Sequence, residues 1–138
     1  MKTELLANRR KLYEALEKSD VEALDQIERE NFTVVNGSKS ITKTQQLNSL
    51  REHSTYGEIR SKEQTRRSFL RLHSGAAVFF SINWIANETN IAEFLVENWT
   101  YLRGDWQLAF MQVEQIINDN EKVFKLLAEF VSEYEEVS

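Results

Sequence analysis

Residues 75–117 decide the fold, and they read GAAVFFSINWIANETNIAEFLVENWTYLRGDWQLAFMQVEQII. Three apolar runs within them, GAAVFFSINWIAN, NIAEFLVENWTYL and WQLAFMQVEQII, are rich in β-branched and aromatic residues and contain stretches of two-residue alternation. Such runs, separated by turn residues, are typical of consecutive antiparallel strands joined by short hairpins. The segment therefore predicts the centre of a β-sheet, and we expect the rest of the chain to cover it.

Apolar side chains occur on both faces of this predicted sheet. Alternation puts Val78, Ile82 and Trp84 on one face of the first strand, and it puts Leu108 and Phe110 together on one face of the third. An apolar face needs cover from another layer or another molecule. We therefore expect a bent sheet with helices on its concave side and another subunit on its convex side.

Helices and one strand are predicted before the sheet. Residues 3–18 carry Leu5, Arg9, Leu12, Tyr13 and Leu16 at helical spacing. Residues 19–22, Ser-Asp-Val-Glu, have the form of a capping box for a second, short helix.

A short strand over residues 31–35 is expected to end at the turn Asn36–Gly37. Thr42 and Gln45 then have capping-box spacing and predict a third helix, with Leu47 and Leu50 on its apolar edge.

Charge is unevenly distributed around the sheet. Residues 56–72 predict an edge or partly exposed strand, and five basic residues lie between Arg60 and Arg71 against one acidic residue. Residues 119–138 predict a strongly amphipathic helix in a tail that is rich in acids. Either both charged segments face solvent, or the basic strand and the acidic tail contact each other, within a chain or between subunits.

Composition limits the function classes. The 138 residues fit one domain, and the lack of cysteine excludes a disulfide scaffold and a thiolate metal site. The net charge of −5 argues against binding to nucleic acid or anionic membranes, which needs a clustered basic surface. The charged N-terminal stretch does not predict a signal peptide, and no run approaches about 18 apolar residues. We therefore expect a cytoplasmic protein.

The order of elements and two stretches of sequence resemble the nuclear transport factor 2-like superfamily, especially its SnoaL-like branch. The stretches are LYEALEKSDVEALDQIERENFTVVNGS and WTYLRGDWQLAFMQVEQI, the second of which looks like the family's paired tryptophans flanking a Gly turn. The resemblance implies a cystatin-like, cone-shaped α+β fold, in which a strongly curved antiparallel sheet and N-terminal helices on its concave face enclose an apolar pocket. It also implies a homodimer formed through the sheet. The domain would span residues 1–118, with residues 119–138 as a C-terminal helical extension.

The ketosteroid isomerases of this superfamily allow a comparison residue by residue. They use a Tyr of the first helix to stabilise the oxyanion and an Asp at the end of the first strand as the base. An ungapped comparison puts Asn36 at the position of the Asp and Leu12 at that of the Tyr, with Tyr13 one place away. Because Asn cannot take up a proton at neutral pH, we do not expect isomerase chemistry unless another base serves.

Candidate ligand-binding residues are amides and aromatic residues on the predicted strands, together with Tyr13 of the first helix. Isolated amides on apolar faces often orient a ligand, and the alternative is that Asn98 and Gln112 hydrogen-bond each other across the sheet. The aromatic side chains would form the wall of a pocket, and the favoured alternative is that they form a packed core. The candidates are Tyr13, Asn36, Trp84, Phe94, Asn98, Phe110 and Gln112.

Glu93 and Glu97 alternate on one strand face and are the candidate catalytic bases. Either could act with Tyr13 in acid–base chemistry. The alternative is that both pair with Arg67 or Arg71 of the neighbouring strand. The histidines, His53 and His73, stand far apart without carboxylates at matching spacing, so we predict surface positions and no metal site.

These observations favour a protein that binds a small apolar or amphipathic molecule in an internal pocket, without a cofactor. One alternative is a cofactor-independent lyase, isomerase or cyclase that uses Glu97 or Glu93 with Tyr13. Another is a homodimeric interaction module in which the sheet and the C-terminal helix assemble a complex.

Overall fold

The computed structural model describes residues 1–52, 64–85 and 90–137. Its helices are α1 (Lys2–Lys18), α2 (Val21–Ile27), α3 (Lys43–Glu52) and α4 (Asn120–Glu133). Its strands are β1 (Glu28–Asn36), β2 (Lys39–Thr42), β3 (Gln64–His73), β4 (Ala76–Ile85), β5 (Ile91–Leu102), β6 (Asp105–Ile117) and β7 (Glu135–Val137). Within these ranges, no helix is both long and apolar enough to cross a bilayer. His53 and residues 56–63 of the predicted edge strand lie outside the described residues.

The strands form one sheet in the order β2-β1-β6-β5-β4-β3-β7. Neighbours are antiparallel except for β1 and β6, which run parallel. The predicted antiparallel pairing of consecutive strands from β3 to β6 is confirmed. Arg103 and Gly104 turn the chain between β5 and β6 with φ angles of 55° and 83°, as a two-residue hairpin turn with two positive φ angles requires.

Helices α1, α2 and α3 pack on one face of the sheet, which we call the inner face. Leu5, Leu12 and Leu24 from the helices join Phe79 and Trp99 from the strands in one buried cluster. The predicted α+β class, with N-terminal helices on one face of the sheet, is confirmed.

Helix α4 packs on the opposite face, which we call the outer face. Val123 and Phe130 of α4 join Phe69, Ile82 and Ala92 of the sheet in a second buried cluster. The sequence predicts another subunit on this face. In the structure the chain's own C-terminal helix covers part of it, because the apolar stripe of α4 matches the apolar outer face.

A β-bulge reverses the alternation in β6. Asn98 pairs with Phe110, but the next residue of β5, Trp99, pairs with Leu108, so Ala109 is an extra residue. Leu108 therefore lies in the inner core and Phe110 lies on the outer face. The prediction that these two side chains share a face is wrong, because strict alternation cannot anticipate a bulge.

The predicted capping box at residues 19–22 is also wrong. Ser19 closes α1 in the left-handed conformation, with φ 52°, and Asp20 is the N-cap of α2. The Asp20 carboxylate accepts from the backbone N–H of Ala23 at 3.2 Å. Because α1 continues to Lys18, Ser19 is used to end that helix.

The predicted capping box at Thr42 is confirmed. Thr42 Oγ1 accepts from the backbone N–H of Gln45 at 3.2 Å, and Gln45 Oε1 accepts from that of Thr42 at 3.0 Å. The turn after β1 is also confirmed, with Gly37 at φ 62°.

The C-terminal helix is shorter than predicted. It ends at Glu133, and β7 then pairs with residues 68–70 of β3. The edge that the sequence predicts for β3 is therefore covered in its middle, and the strand is partly exposed, as the alternative prediction has it. Arg67 of β3 donates to both carboxylate oxygens of Glu136 at 2.8 Å. Acidic residues near the C-terminus of a helix interact unfavourably with the helix dipole, whereas basic residues of β3 can form ion pairs with them. The predicted contact between the basic strand and the acidic tail is therefore formed within one chain.

Candidate functional site

A cavity of about 190 Å³ lies among α1, α3, β1, β2, β5 and β6, and we call it the inner cavity. Its apolar wall is formed by Leu16, Val34, Ile41, Leu50, Met111 and Val113. Its polar lining is formed by Asn36, Gln46, Ser49 and Glu93. A cavity of about 150 Å³ in another protein holds benzene, so this one has room for a single-ring molecule.

Glu93 gives the inner cavity a carboxylate in a defined position. It lies half-buried on the inner face of β5, opposite Asn83 of β4. The buried Asn83 amide donates to Glu93 Oε1 at 3.1 Å. Since one oxygen is held by the amide, the carboxylate can accept a hydrogen bond from a ligand without first becoming ordered.

Asn36 is the other predicted site residue that lines the inner cavity. It ends β1, beside the turn at Gly37, and is paired in register with Val113 of the cavity wall. The fold thus brings Asn36 and Glu93 to the same cavity, although they are far apart in the sequence.

A buried carboxyl, that of Glu28, lies in the wall of a polar cleft separate from the inner cavity. Glu28, the first residue of β1, is 2% exposed, and neither of its carboxylate oxygens has a hydrogen-bond partner among the described residues. Burial raises the pKa of Glu28 to about 7, while the nearby Gln46 amide and Lys43 oppose the shift. Gln46 is thus close enough to influence the carboxyl, although no hydrogen bond of normal geometry joins them. Within the described part of the chain, Gln46 Oε1 is likewise buried without a partner.

A separate polar cluster lies inside the core, and we call it the Arg9 cluster. The fully buried Glu97 accepts from Arg9 Nε at 3.0 and 3.2 Å, and its Oε2 also accepts from Arg9 Nη2 at 3.0 Å. Trp99 Nε1 donates to Oε1 at 3.0 Å and the Tyr13 hydroxyl donates to Oε2 at 2.6 Å.

Two serines complete the Arg9 cluster. Arg9 Nη2 donates to Ser68 Oγ at 3.0 Å and to Ser81 Oγ at 3.1 Å. Each oxygen of Glu97 already accepts at least two hydrogen bonds. The arrangement is therefore that of a satisfied structural ion pair, since a general base needs a free lone pair that faces a substrate.

Tyr13 is fixed in the same cluster. Burial, followed by the charge of Glu97, raises the pKa of the Tyr13 phenol, so the hydroxyl remains a proton donor to Glu97 at neutral pH. The Arg66 guanidinium lies 4.0 Å from the centroid of its ring. Neither Tyr13 nor Glu97 lines the inner cavity, which argues against the predicted acid–base pair of these two residues.

The alternative expectation for the glutamates, pairing with Arg67 or Arg71, is wrong as well. Glu97 pairs with Arg9 of α1, and Glu93 bonds to Asn83. Arg67 is engaged with β7 instead. The position of Arg9 within the buried stripe of α1 was the signal that could have identified the partner, because a cation on a buried helix face needs an acid.

Five predicted ligand-binding residues lie on the outer face of the sheet, away from the inner cavity. Trp84 and Phe94 pack against the cluster beneath α4, and the other three, Asn98, Phe110 and Gln112, are half-buried beyond it. The expectation that these five line the pocket is not met. Alternation shows which side chains share a face, but it does not show which face encloses a cavity.

The described residues contain no group of three or more His, Asp or Glu side chains that could hold a metal ion. His73 is exposed at the end of β3. The sequence does not predict Glu28 or Gln46 as site residues, because Glu28 precedes the predicted first strand and Gln46 belongs to a predicted helix.

The sequence matches no family model and no curated protein. Solved structures share its fold. A nuclear transport factor 2-like protein from Cytophaga hutchinsonii is 15% identical, with a TM-score of 0.64 over 84% of this chain and 98% of that one. A cystatin-like fold protein from Burkholderia xenovorans is 14% identical, with a TM-score of 0.62 over 83% and 91%. A Shewanella frigidimarina protein, provisionally named a ketosteroid isomerase, is 13% identical, with a TM-score of 0.60 over 78% and 91%.

The chain therefore has the nuclear transport factor 2-like fold, which confirms the predicted resemblance at the level of architecture. The helices and sheet match those of cystatin-like fold proteins.

Proposed function

We propose that this protein binds a small, largely apolar molecule in the inner cavity, without a cofactor. The observation that carries the proposal is the lining of that cavity, which has six apolar side chains and a few polar groups that include the positioned carboxylate of Glu93. Apolar walls supply affinity by removing ligand surface from water, and a small number of fixed polar groups supply orientation.

The polar groups define the ligand chemistry. The Glu93 carboxylate accepts hydrogen bonds, while the amides of Asn36 and Gln46 and the Ser49 hydroxyl can donate or accept. A ligand that fits is about the size of a substituted single ring and carries a hydrogen-bond donor. Indole, which has an apolar body and one N–H donor, is a suitable probe.

Filling the cavity is expected to weaken binding of the probe. Ile41→Trp places a large side chain on the wall of the inner cavity, where Ile41 is 36% exposed. We expect it to weaken indole binding at least about tenfold, measured by isothermal titration calorimetry, because the probe loses its space.

Ile117→Trp is the matched control, since Ile117 is 55% exposed on β6 and does not line the cavity. We expect it to bind indole as the wild type does. Equal weakening by both substitutions, or a wild-type protein that binds neither indole nor any molecule retained in native mass spectra, would contradict the proposal.

The enzyme alternative now has one candidate base. Glu93 lines the inner cavity, whereas Glu97 is fully engaged with Arg9. A cofactor-independent lyase, isomerase or cyclase would have to use Glu93, with Asn36 as a neighbouring polar group rather than as a base. Binding remains the leading proposal, because the cavity supplies a carboxylate but no described residue positions a second acid–base group opposite it.

We also propose that two copies of the chain associate through the rest of the outer face. Val78, Val96 and Phe110 are half-buried there, with the amides of Asn98 and Gln112 beside them. An apolar patch with central amides suits a two-fold interface, in which the same groups meet their copies.

A charge in this patch is expected to separate the dimer. Val96→Glu should convert a wild-type dimer into a monomer in light scattering at micromolar concentration, because the interface would bury unpaired carboxylates. Val131→Glu, on the exposed side of α4, should leave the dimer intact. A wild-type monomer, or equal dissociation by both substitutions, would count against this interface.

A further inference from the structure

We propose that the ligand of the inner cavity carries a protonated amine, and that the Glu93 carboxylate is its counter-charge. The inference rests on the proposed function, because it names the chemical class of the molecule that the same cavity binds. That class is a single apolar ring with an ammonium group on a short arm.

The inner cavity carries charge of one sign. Of the described residues that line it, only Glu93 is charged, and the others are six apolar side chains, two amides and the Ser49 hydroxyl. A carboxylate beside an apolar wall attracts cations and repels anions, and water-excluding walls strengthen both effects. The lining therefore selects against an anionic ligand.

No lysine or arginine neutralises Glu93 within the described part of the chain. The ion pairs found there all involve other acids, and the polar partner of Glu93 is the neutral Asn83 amide at 3.1 Å. Gln115, its register partner on β6, is neutral too. Arg66, one strand further along the same row, lies on the Tyr13 ring at 4.0 Å from the centroid.

The basic residues of α3, which borders the inner cavity, are engaged elsewhere. Lys43 pairs with Asp25 at 2.9 Å, and Arg51 donates to Asn48 at 2.9 Å. Two lysines near the cavity in sequence are exposed and do not line it, namely Lys18 and Lys39. A cation of the ligand can therefore supply the counter-charge that the described residues do not.

The polar groups of the cavity match the donors of an ammonium group. An ammonium has three N–H donors and no acceptor. Glu93 keeps accepting capacity beyond its bond from Asn83, and the Asn36 amide and the Ser49 hydroxyl can accept as well. Gln46 is not counted, because its Oε1 is buried. A hydrogen bond between ionised groups is about twice as strong as a neutral one, so an amine gains more here than an alcohol does.

Three probes of nearly equal size separate charge from shape. Near about pH 7, benzylamine is a cation, benzyl alcohol is neutral and benzoate is an anion. We expect calorimetric titration of the wild-type chain to show benzylamine binding about fivefold to tenfold more tightly than benzyl alcohol, the difference between a charge-assisted and a neutral hydrogen bond. Benzoate should bind most weakly of the three.

Glu93→Gln tests the residue, and Glu17→Gln is the matched control. Glutamine removes the charge of Glu93 but keeps an oxygen that can accept from the Asn83 amide. Glu17→Gln removes the same charge from an exposed position of α1, beside Leu16 of the cavity wall. We expect Glu93→Gln to weaken benzylamine about fivefold to tenfold and benzyl alcohol less than about twofold, and Glu17→Gln to bind both as the wild type does.

Added salt separates a contact ion pair from the general attraction of a cation to an acidic chain. The net charge is −5, so benzylamine is favoured at long range wherever it binds. In about 0.5 M sodium chloride the Debye length falls to about 4 Å, which screens that attraction but acts less on a partly buried pair. We expect the preference for benzylamine over benzyl alcohol to remain above about threefold.

The outcomes keep the inference apart from the proposed function. Benzyl alcohol that binds as tightly as benzylamine, or a preference for benzylamine that persists in Glu93→Gln or disappears in salt, overturns the inference and leaves the cavity as a binding site. If none of the three probes and no indole binds, the proposed function fails and the inference fails with it. If Glu93→Gln does not fold, the ranking of the three probes on the wild type, at both salt concentrations, decides the question.

Discussion

Replacing Glu97 with glutamine is expected to lower the free energy of unfolding by about 3–5 kcal/mol. The substitution keeps the size of the side chain but leaves the Arg9 guanidinium buried without a counter-charge. It also replaces an acceptor oxygen by an NH₂ group that faces the donors of Arg9, Tyr13 or Trp99. Urea denaturation followed by circular dichroism measures the loss directly.

A double-mutant cycle shows whether the loss comes from the unpaired charge. Arg9→Met combined with Glu97→Gln removes the stranded cation, so the double substitution should cost less than the sum of the two single ones. Glu14→Gln, at an exposed position of α1, should change stability by less than about 0.5 kcal/mol. A Glu97→Gln protein as stable as the Glu14→Gln control, or strictly additive costs, would mean that Arg9 does not depend on Glu97.

The sheet could be predicted from sequence because its signals are local. Gly75 marks the turn between β3 and β4, Gly104 marks the turn between β5 and β6, and two-residue alternation identifies the strands. The same pattern predicts where β6 begins and ends. It does not predict on which face of the sheet each side chain of β6 lies, because the extra residue Ala109 shifts the alternation by one place.

The site was less accessible to prediction because it depends on contacts that are distant in sequence. Glu97 and Arg9 are 88 positions apart, and only the tertiary fold shows that their pairing removes Glu97 from the candidate bases. The chemistry of Asn36 and Glu93 predicts a role at a site, and the fold brings both to the inner cavity. The aromatic character of Trp84 and Phe94 predicts the same, but both lie on the outer face. Since both faces of the sheet are apolar, sequence alone does not distinguish them.

Replacing Glu28 with glutamine is expected to stabilise the protein above neutral pH by about 2–3 kcal/mol. Burial raises the pKa of Glu28 from 4.5 to about 7, so the folded state holds the proton more tightly than the unfolded chain does. The stabilising contribution of the neutral acid is complete below about pH 4.5 and is lost as the pH rises to about 7. Glutamine is neutral throughout and avoids this loss.

The difference between the two proteins should therefore depend on pH. Urea denaturation at about pH 4.5 should give nearly equal stabilities, and at about pH 8 the Glu28→Gln protein should be more stable. Glu30→Gln should follow the wild type at both values, because Glu30 is exposed. Parallel curves for wild type and Glu28→Gln would show that Glu28 is not held as a neutral acid.

A carboxyl that weakens the fold at neutral pH is unusual in the interior of a small protein. Natural sequences tolerate such losses mainly where a group serves binding or catalysis, and the positions where substitution stabilises are often the positions where function is lost. If Glu28→Gln gains stability and also changes indole binding, one side chain accounts for both effects. A gain in stability with unchanged indole binding would show that Glu28 does not contribute to recognition in the inner cavity, which it does not line.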